Sequence, residues 1–247
     1  MAYPTLYSLQ NCPYAMRARM AVLLSEIPVN LRAIVLKDKP EEMVSASPKA
    51  EVPVLILSNG QVIDQSLDIM LWVLGENDPH NVLYSQEPPA LAQMLCLIER
   101  NDTEYRDVLL KYKCAKRYHE DTEDSYRQEC EAFLLFLEQH LSEHKYLQGE
   151  TLSLADFAVL PLIRQFAKTD RRRFLQGPYP LLRQWLKNHL ESALFSKAMI
   201  KTPLWWHFSY SPCRQPRTFG TWGARNVGLV RLFETSDARD TSVIIKT

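Results

Sequence analysis

Tyr7-Ser8-Leu9-Gln10-Asn11-Cys12-Pro13-Tyr14-Ala15-Met16-Arg17 is the stretch on which the fold turns. The residues leading into it, Tyr3-Pro4-Thr5-Leu6-Tyr7-Ser8, read as a strand. Those after Cys12 predict a helix over 13–26, with Met16, Met20, Leu23 and Leu24 recurring on one side at helical spacing. Pro13 suits the first helical turn, where a missing N–H costs nothing. Cys12 then lies at a helix N-terminus, whose free N–H groups and dipole favour negative charge. Thiolate is the nucleophilic form of cysteine, so this placement makes Cys12 the candidate catalytic residue. Ala15 stands three positions on, where a second cysteine would have to be. Any redox cycle here must take its second thiol from another molecule.

Working outward, residues 30–36 alternate as a strand and Pro40 opens a short helix. Val54-Leu55-Ile56-Leu57, the turn Ser58-Asn59-Gly60-Gln61 and Val62-Ile63 read as a hairpin, with Asn-Gly as its signal. A helix follows over Ser66–Gly75. The order β-α-β-α-β-β-α makes residues 1–78 one small α/β domain. Residues 79–89 are polar and proline-rich, as a linker is. Residues 90–207 carry helical periodicity without strand signals. Helices are predicted over Ala90–Arg117, Asp121–His140, Ser153–Lys168 and Pro180–Leu190, with a short Ser192–Ile200 segment. Ser153-Leu154-Ala155-Asp156 has the spacing of a capping box, a structural device that needs no substrate to explain it. Residues 208–247 form an atypical tail without an amphipathic helix, open to disorder, although Val227–Phe233 and Ser242–Ile245 are strand-like. No function is assigned to it.

Composition bounds the function. Lys plus Arg equals Asp plus Glu at 29 each, so the chain has no global attraction for nucleic acid or an anionic membrane. No segment reaches ~18 uninterrupted apolar residues, and the first residues lack a basic, then apolar, leader pattern. The five cysteines are an odd number and widely scattered, which fits a reducing cytoplasm better than a disulfide framework. No Cys/His cluster has metal spacing, so no metal is expected. Cys96, Cys114 and Cys130 read as small core residues.

Five short motifs, in this order along the chain, resemble the cytosolic glutathione transferases, and within them the cysteine-type, omega-like branch. Cys12-Pro13-Tyr14-Ala15-Met16-Arg17 resembles the active-site turn. Leu36-Lys37-Asp38-Lys39-Pro40-Glu41 resembles a stretch carrying a glutathione-contacting lysine, which falls on Lys39. Glu51-Val52-Pro53-Val54-Leu55 resembles the step with a cis proline, where the preceding residue pairs its backbone with glutathione. Asp64-Gln65-Ser66-Leu67-Asp68-Ile69 resembles the motif that holds the γ-glutamyl end. Ser153 and Asp156 match the family's capping box. The resemblance covers about residues 3–205.

The resemblance implies a thioredoxin-like α/β N-terminal domain followed by an all-α C-terminal domain. It implies a homodimer that uses glutathione as co-substrate together with a small hydrophobic or oxidised compound. Cys12 is then catalytic, forming a mixed disulfide with glutathione. Tyr14, Lys39, Val52, Pro53, Gln65 and Ser66 are then glutathione-binding. Independent chemistry runs alongside: a helix N-terminus at Ser66 takes a carboxylate through free N–H groups, and a plain N-cap serine would look the same. Glu51 departs from relatives that have Lys or Gln there, and a carboxylate opposes an anionic ligand. Tyr7 aligns with the catalytic tyrosine of other classes but reads here as a strand residue. Tyr105, Tyr112, Arg117 and Tyr118 fall near the expected co-substrate pocket, although an aromatic run at helical spacing is more often packing. Two other functions share the fold: conventional conjugation of glutathione to electrophiles, and a binding or regulatory protein without chemistry.

Overall fold

A computed structural model describes residues 3–205 and 243–245. Four strands, β1 (Thr5–Ser8), β2 (Val29–Ala33), β3 (Val54–Ile56) and β4 (Val62–Ile63), alternate with α1 (Pro13–Ser25), α2 (Glu41–Ala46) and α3 (Ser66–Glu76) in the expected order. β1 runs parallel to β2, with Leu6 opposite Leu31, and antiparallel to β3, with Leu6 opposite Leu55. The β3–β4 hairpin closes on Gly60 at φ +87°, a value that favours glycine at the tip of the Asn59-Gly60 turn.

α1 departs from the one-sided reading. Every residue from Ala15 to Ser25 is buried, the arginines at 17 and 19 included. α3, α7 (Leu154–Thr169) and α10 (Ala193–Ala198) pack against it, the last two from the helical domain. A helix buried all round cannot show an amphipathic period. α3 keeps its stripe: Ser66, Ile69, Met70, Val73 and Leu74 are its buried residues, at helical spacing. Each fully buried Met or Ile, such as Met20, Ile69 and Met70, contributes about 1.5–3 kcal/mol by removing apolar surface from water. Asn77 Nδ2 donates to the Ser25 carbonyl at 2.8 Å and ties the ends of α1 and α3 together.

The second half is helical: α4 (Pro88–Arg100), α5 (Arg106–Tyr118), α6 (Glu123–Glu143), α7, α8 (Arg171–Gln176), α9 (Pro180–Leu190) and α10. The helix expected over 90–117 is interrupted by one π-helical turn, Asn101–Tyr105. The turn buries Asn101 and Tyr105 together, and Tyr105 stacks on Phe133 at 4.6 Å between ring centres. α8, which no periodicity announced, is capped by Asp170, whose carboxylate accepts the Arg173 N–H at 3.0 Å. Cys130 is a core residue as expected, but Cys96 and Cys114 are exposed. Each lies two residues from a buried neighbour, Met94 and Tyr112, which is ~200° around the helix.

Asp156 is the buried polar node of the helical domain. Its carboxylate accepts the Ser153 N–H (3.0 Å), the Ser153 hydroxyl (2.7 Å), the Leu147 N–H (3.1 Å) and the Trp185 indole N–H (2.8 Å). The capping box is therefore also a staple between α7, the preceding loop and α9. The tail is not wholly without structure: β5 (Val243–Ile245) pairs antiparallel with β2 and extends the sheet to the order β4-β3-β1-β2-β5. The strand-like run at 227–233 lies outside the described residues. Among the described residues, no helix is long and apolar enough to cross a membrane.

Candidate active site

Cys12 is the N-cap of α1, with φ −72° and ψ 125° and no side-chain capping bond. Its carbonyl accepts the Met16 N–H at 3.0 Å, and its own N–H donates to the Leu9 carbonyl at 3.2 Å. The thiol is half-buried and points to the Val52 carbonyl, with Sγ 3.7 Å from the oxygen. The Val52–Pro53 peptide bond is cis. The backbone groups of Val52 make no hydrogen bond to another backbone group among the described residues.

A cleft of about 210 Å³ opens beside this contact. Tyr14, Val52, Pro53, Gln65 and Ser66 line it, together with Glu51, Asp64, Leu67, Asp102 and Arg106. The fold thus brings five of the six expected glutathione-binding residues to one place. Two helix N-termini meet there, α1 behind Cys12 and α3 behind Gln65, its N-cap. Ser66 is the first helical residue rather than the cap, and its hydroxyl makes no hydrogen bond to another described residue. Free N–H groups at such an end bind carboxylates. Hydrogen bonds from Ser47 and Lys49 hold the Asp64 carboxyl below its ordinary range.

Lys39 is the exception. It follows the turn after β2 and, like Cys12 itself, is not among the residues that line the cleft. Tyr7 is also elsewhere: it is fully buried in β1, its hydroxyl donates to Glu42 at 3.0 Å and accepts from Arg32 at 2.7 Å, and burial pushes its pKa up to about 12. Tyr105 and Tyr112 are core residues and Tyr118 is exposed, so the aromatic run does not line the cleft.

The helical domain contributes Asp102 and Arg106 instead, two residues that sequence reasoning missed. Asp102 sits in the π-helical turn and takes both arms of Arg17 in a bidentate pair, one of them at 2.6 Å. The Arg17 Nε donates to the Ala158 carbonyl at 2.5 Å, which ties α1 to α7 as well. Tyr14 stacks against the Arg17 guanidinium at 5.2 Å. The Tyr14 hydroxyl is buried near the Arg106 side chain, and burial raises its pKa. Two arginines inside an otherwise apolar helix were the signal for Asp102: a buried guanidinium requires acceptors.

The profile described as "Glutathione S-transferase, N-terminal domain" matches residues 6–81, and "Glutathione S-transferase, C-terminal domain" matches residues 98–188. Glutathione S-transferase omega-1 of Mus musculus is 25% identical over 182 residues, 73% of this chain and 74% of that protein. A probable cytosolic glutathione S-transferase DHAR1 of Oryza sativa is 27% identical over 155 residues, 62% of this chain and 66% of that one. Among solved structures, a glutathione transferase from Pseudomonas putida with one glutathione disulfide bound per subunit superposes with a TM-score of 0.70 at 18% identity, over 80% of this chain and 91% of that one.

Proposed function

The chain belongs to the glutathione S-transferase family, and from that premise we propose that it is a glutathione-dependent thiol transferase whose nucleophile is Cys12. The observation that carries this reading is the Cys12 thiol, set at the N-terminus of α1 against the Val52 carbonyl, at the edge of a cleft lined by Gln65 and Ser66. In the first step the Cys12 thiolate attacks the glutathionyl sulfur of a mixed disulfide. The sulfur–sulfur bond breaks, the substrate thiol leaves as thiolate and takes a proton from water, and Cys12 is left joined to glutathione. In the second step a glutathione thiolate attacks that bond and releases glutathione disulfide, which regenerates the Cys12 thiolate. Ala15 supplies no resolving thiol, so the second glutathione must.

In this reading the Gln65 amide and the first turn of α3 hold the γ-glutamyl end. The backbone of Val52 pairs with the peptide in the manner of an added strand. Conjugation to electrophiles finds less support, because the Tyr7 hydroxyl is occupied by Arg32 and Glu42. Lys39 has no part in the proposal. Steady-state reduction of a glutathionylated peptide by wild type and Cys12→Ser tests the reading. Turnover should fall at least about a hundredfold in Cys12→Ser, the scale of losing a nucleophile. Retained turnover would remove Cys12 from the mechanism.

A further inference from the structure

Arg19 stands seven residues after Cys12, two turns along α1. At ~100° per residue the two lie within about 20° of one helix face. Helical side chains lean toward the N-terminus, so Arg19 reaches back beneath the turn that presents Cys12. It is 3% exposed. Its Nη1 donates to the Ser8 hydroxyl at 2.5 Å and the Leu9 carbonyl at 3.1 Å, and its Nη2 donates to the Gln10 carbonyl at 2.9 Å. The Leu9 oxygen is the one that accepts the Cys12 N–H. A single carbonyl therefore joins the guanidinium to the Cys12 backbone. On its other side Arg19 Nε donates to the Ala198 carbonyl at 2.8 Å, and Nη2 meets Met199 Sδ at 3.6 Å. Gln10 Nε2 donates to the Met199 carbonyl at 2.8 Å, so the end of α10 is latched to the same turn.

A buried guanidinium ordinarily faces a carboxylate. Arg19 meets only neutral oxygens and a sulfur among the described residues. We propose that Arg19 is a positioning residue for the Cys12 chemistry, fixing the Ser8–Gln10 turn and supplying the counter-charge for the thiolate. This rests on Cys12 being the reactive thiol. Burial pulls the Arg19 pKa down to about 10, and a negative charge on Cys12 would work against that. The other charged groups around Cys12 do not supply the same compensation. Arg17 is paired with Asp102, Arg106 with Asp107 and Lys49 with Asp64, so those charges are already matched, and Glu51 opposes a thiolate.

The test is the pH profile of Cys12 alkylation by iodoacetamide, read by mass spectrometry on wild type, Arg19→Gln and Arg19→Lys. Loss of the nearby charge should move the inflection of Arg19→Gln up by about one unit or more, a tenfold loss of rate below the inflection. Arg19→Lys, a compact charge without the fork, should fall between the two. An Arg19→Gln inflection that matches wild type overturns the proposal. Where Arg19→Gln fails to fold, Arg19→Lys decides: an upward shift supports the proposal and an unchanged inflection overturns it. Iodoacetamide needs no glutathione site, so an unchanged inflection removes the role of Arg19 without touching the glutathione reading. That reading fails separately, on turnover by Cys12→Ser.

Discussion

Asp102→Ala removes the one carboxylate that, among the described residues, faces the fully buried Arg17 side chain. Breaking a buried ion pair from one side costs about 3–5 kcal/mol, because the remaining charge keeps its desolvation penalty. Two features set the value here. Arg17 retains its bond to the Ala158 carbonyl, and the Asp102 side chain is 25% exposed, so water can enter beside the guanidinium. Both place the loss at the low end, about 3 kcal/mol. Asp102→Asn keeps a neutral acceptor and should lose about half of that, since hydrogen bonds to a charged acceptor are roughly twice as strong. The double variant Arg17→Met/Asp102→Leu removes both charges and should recover most of the loss, giving a coupling of at least ~2 kcal/mol in the cycle. Urea unfolding followed by tryptophan fluorescence and by circular dichroism provides the measurement, with coincident transitions as the condition for using it. A loss under ~1 kcal/mol in Asp102→Ala, or a coupling near zero, would refute the view that this pair clamps the two domains behind Cys12.

Three further outcomes follow from the same contacts. Asp156→Ala orphans four donors, two of them backbone N–H groups, and should cost at least about 3 kcal/mol in the same urea assay; a loss under ~1 kcal/mol would contradict its place as the staple of the helical domain. Burial pushes Tyr7, Tyr112 and Cys130 up to about 12, from ordinary values of 10.0, 10.0 and 9.0. The unfolded chain gives up these protons first, so their stabilisation is complete below pH ~9 and is lost as pH climbs toward ~12. The urea midpoint should therefore fall between pH 8 and pH 10.5, and an unchanged midpoint counts against the burial of these groups. Tyr7→Phe should keep thiol-transfer turnover within a few-fold of wild type, because its hydroxyl serves Arg32 and Glu42; a hundredfold loss would return Tyr7 to the mechanism.

The N-terminal domain was legible because its signals are local. The strand over 30–36 announces itself by alternation, the hairpin by Asn59-Gly60, and the start of α1 by Cys12-Pro13. The cleft was legible as far as its residues come from turns and helix starts. What was missed depends on contacts far apart in sequence. Asp102 looks like one more polar residue in Glu99-Arg100-Asn101-Asp102, and only the π-helical turn and a partner 85 residues away give it meaning. Arg17 entered the sequence reading only as the end of the active-site motif and Arg19 not at all, whereas α1 is buried on every side and both guanidiniums are consumed by carbonyls, a hydroxyl and a carboxylate. Exposure of Cys96 and Cys114 also escaped the sequence, since cysteine packs in a core or faces solvent without changing the local pattern. Lys39 came into the site reading by resemblance alone, and it is not among the residues that line the cleft.

The most direct test of the central claim is the mass of Cys12 after exposure to glutathione disulfide. The account predicts one glutathionyl adduct per chain, mapped by peptide sequencing to the peptide that contains Cys12. Reduced glutathione should remove it and release glutathione disulfide. Exposed Cys96 and Cys114 serve as internal controls and should react more slowly. An unmodified Cys12 beside modified Cys96 or Cys114, or an adduct on Cys12 that glutathione does not release, would contradict the account.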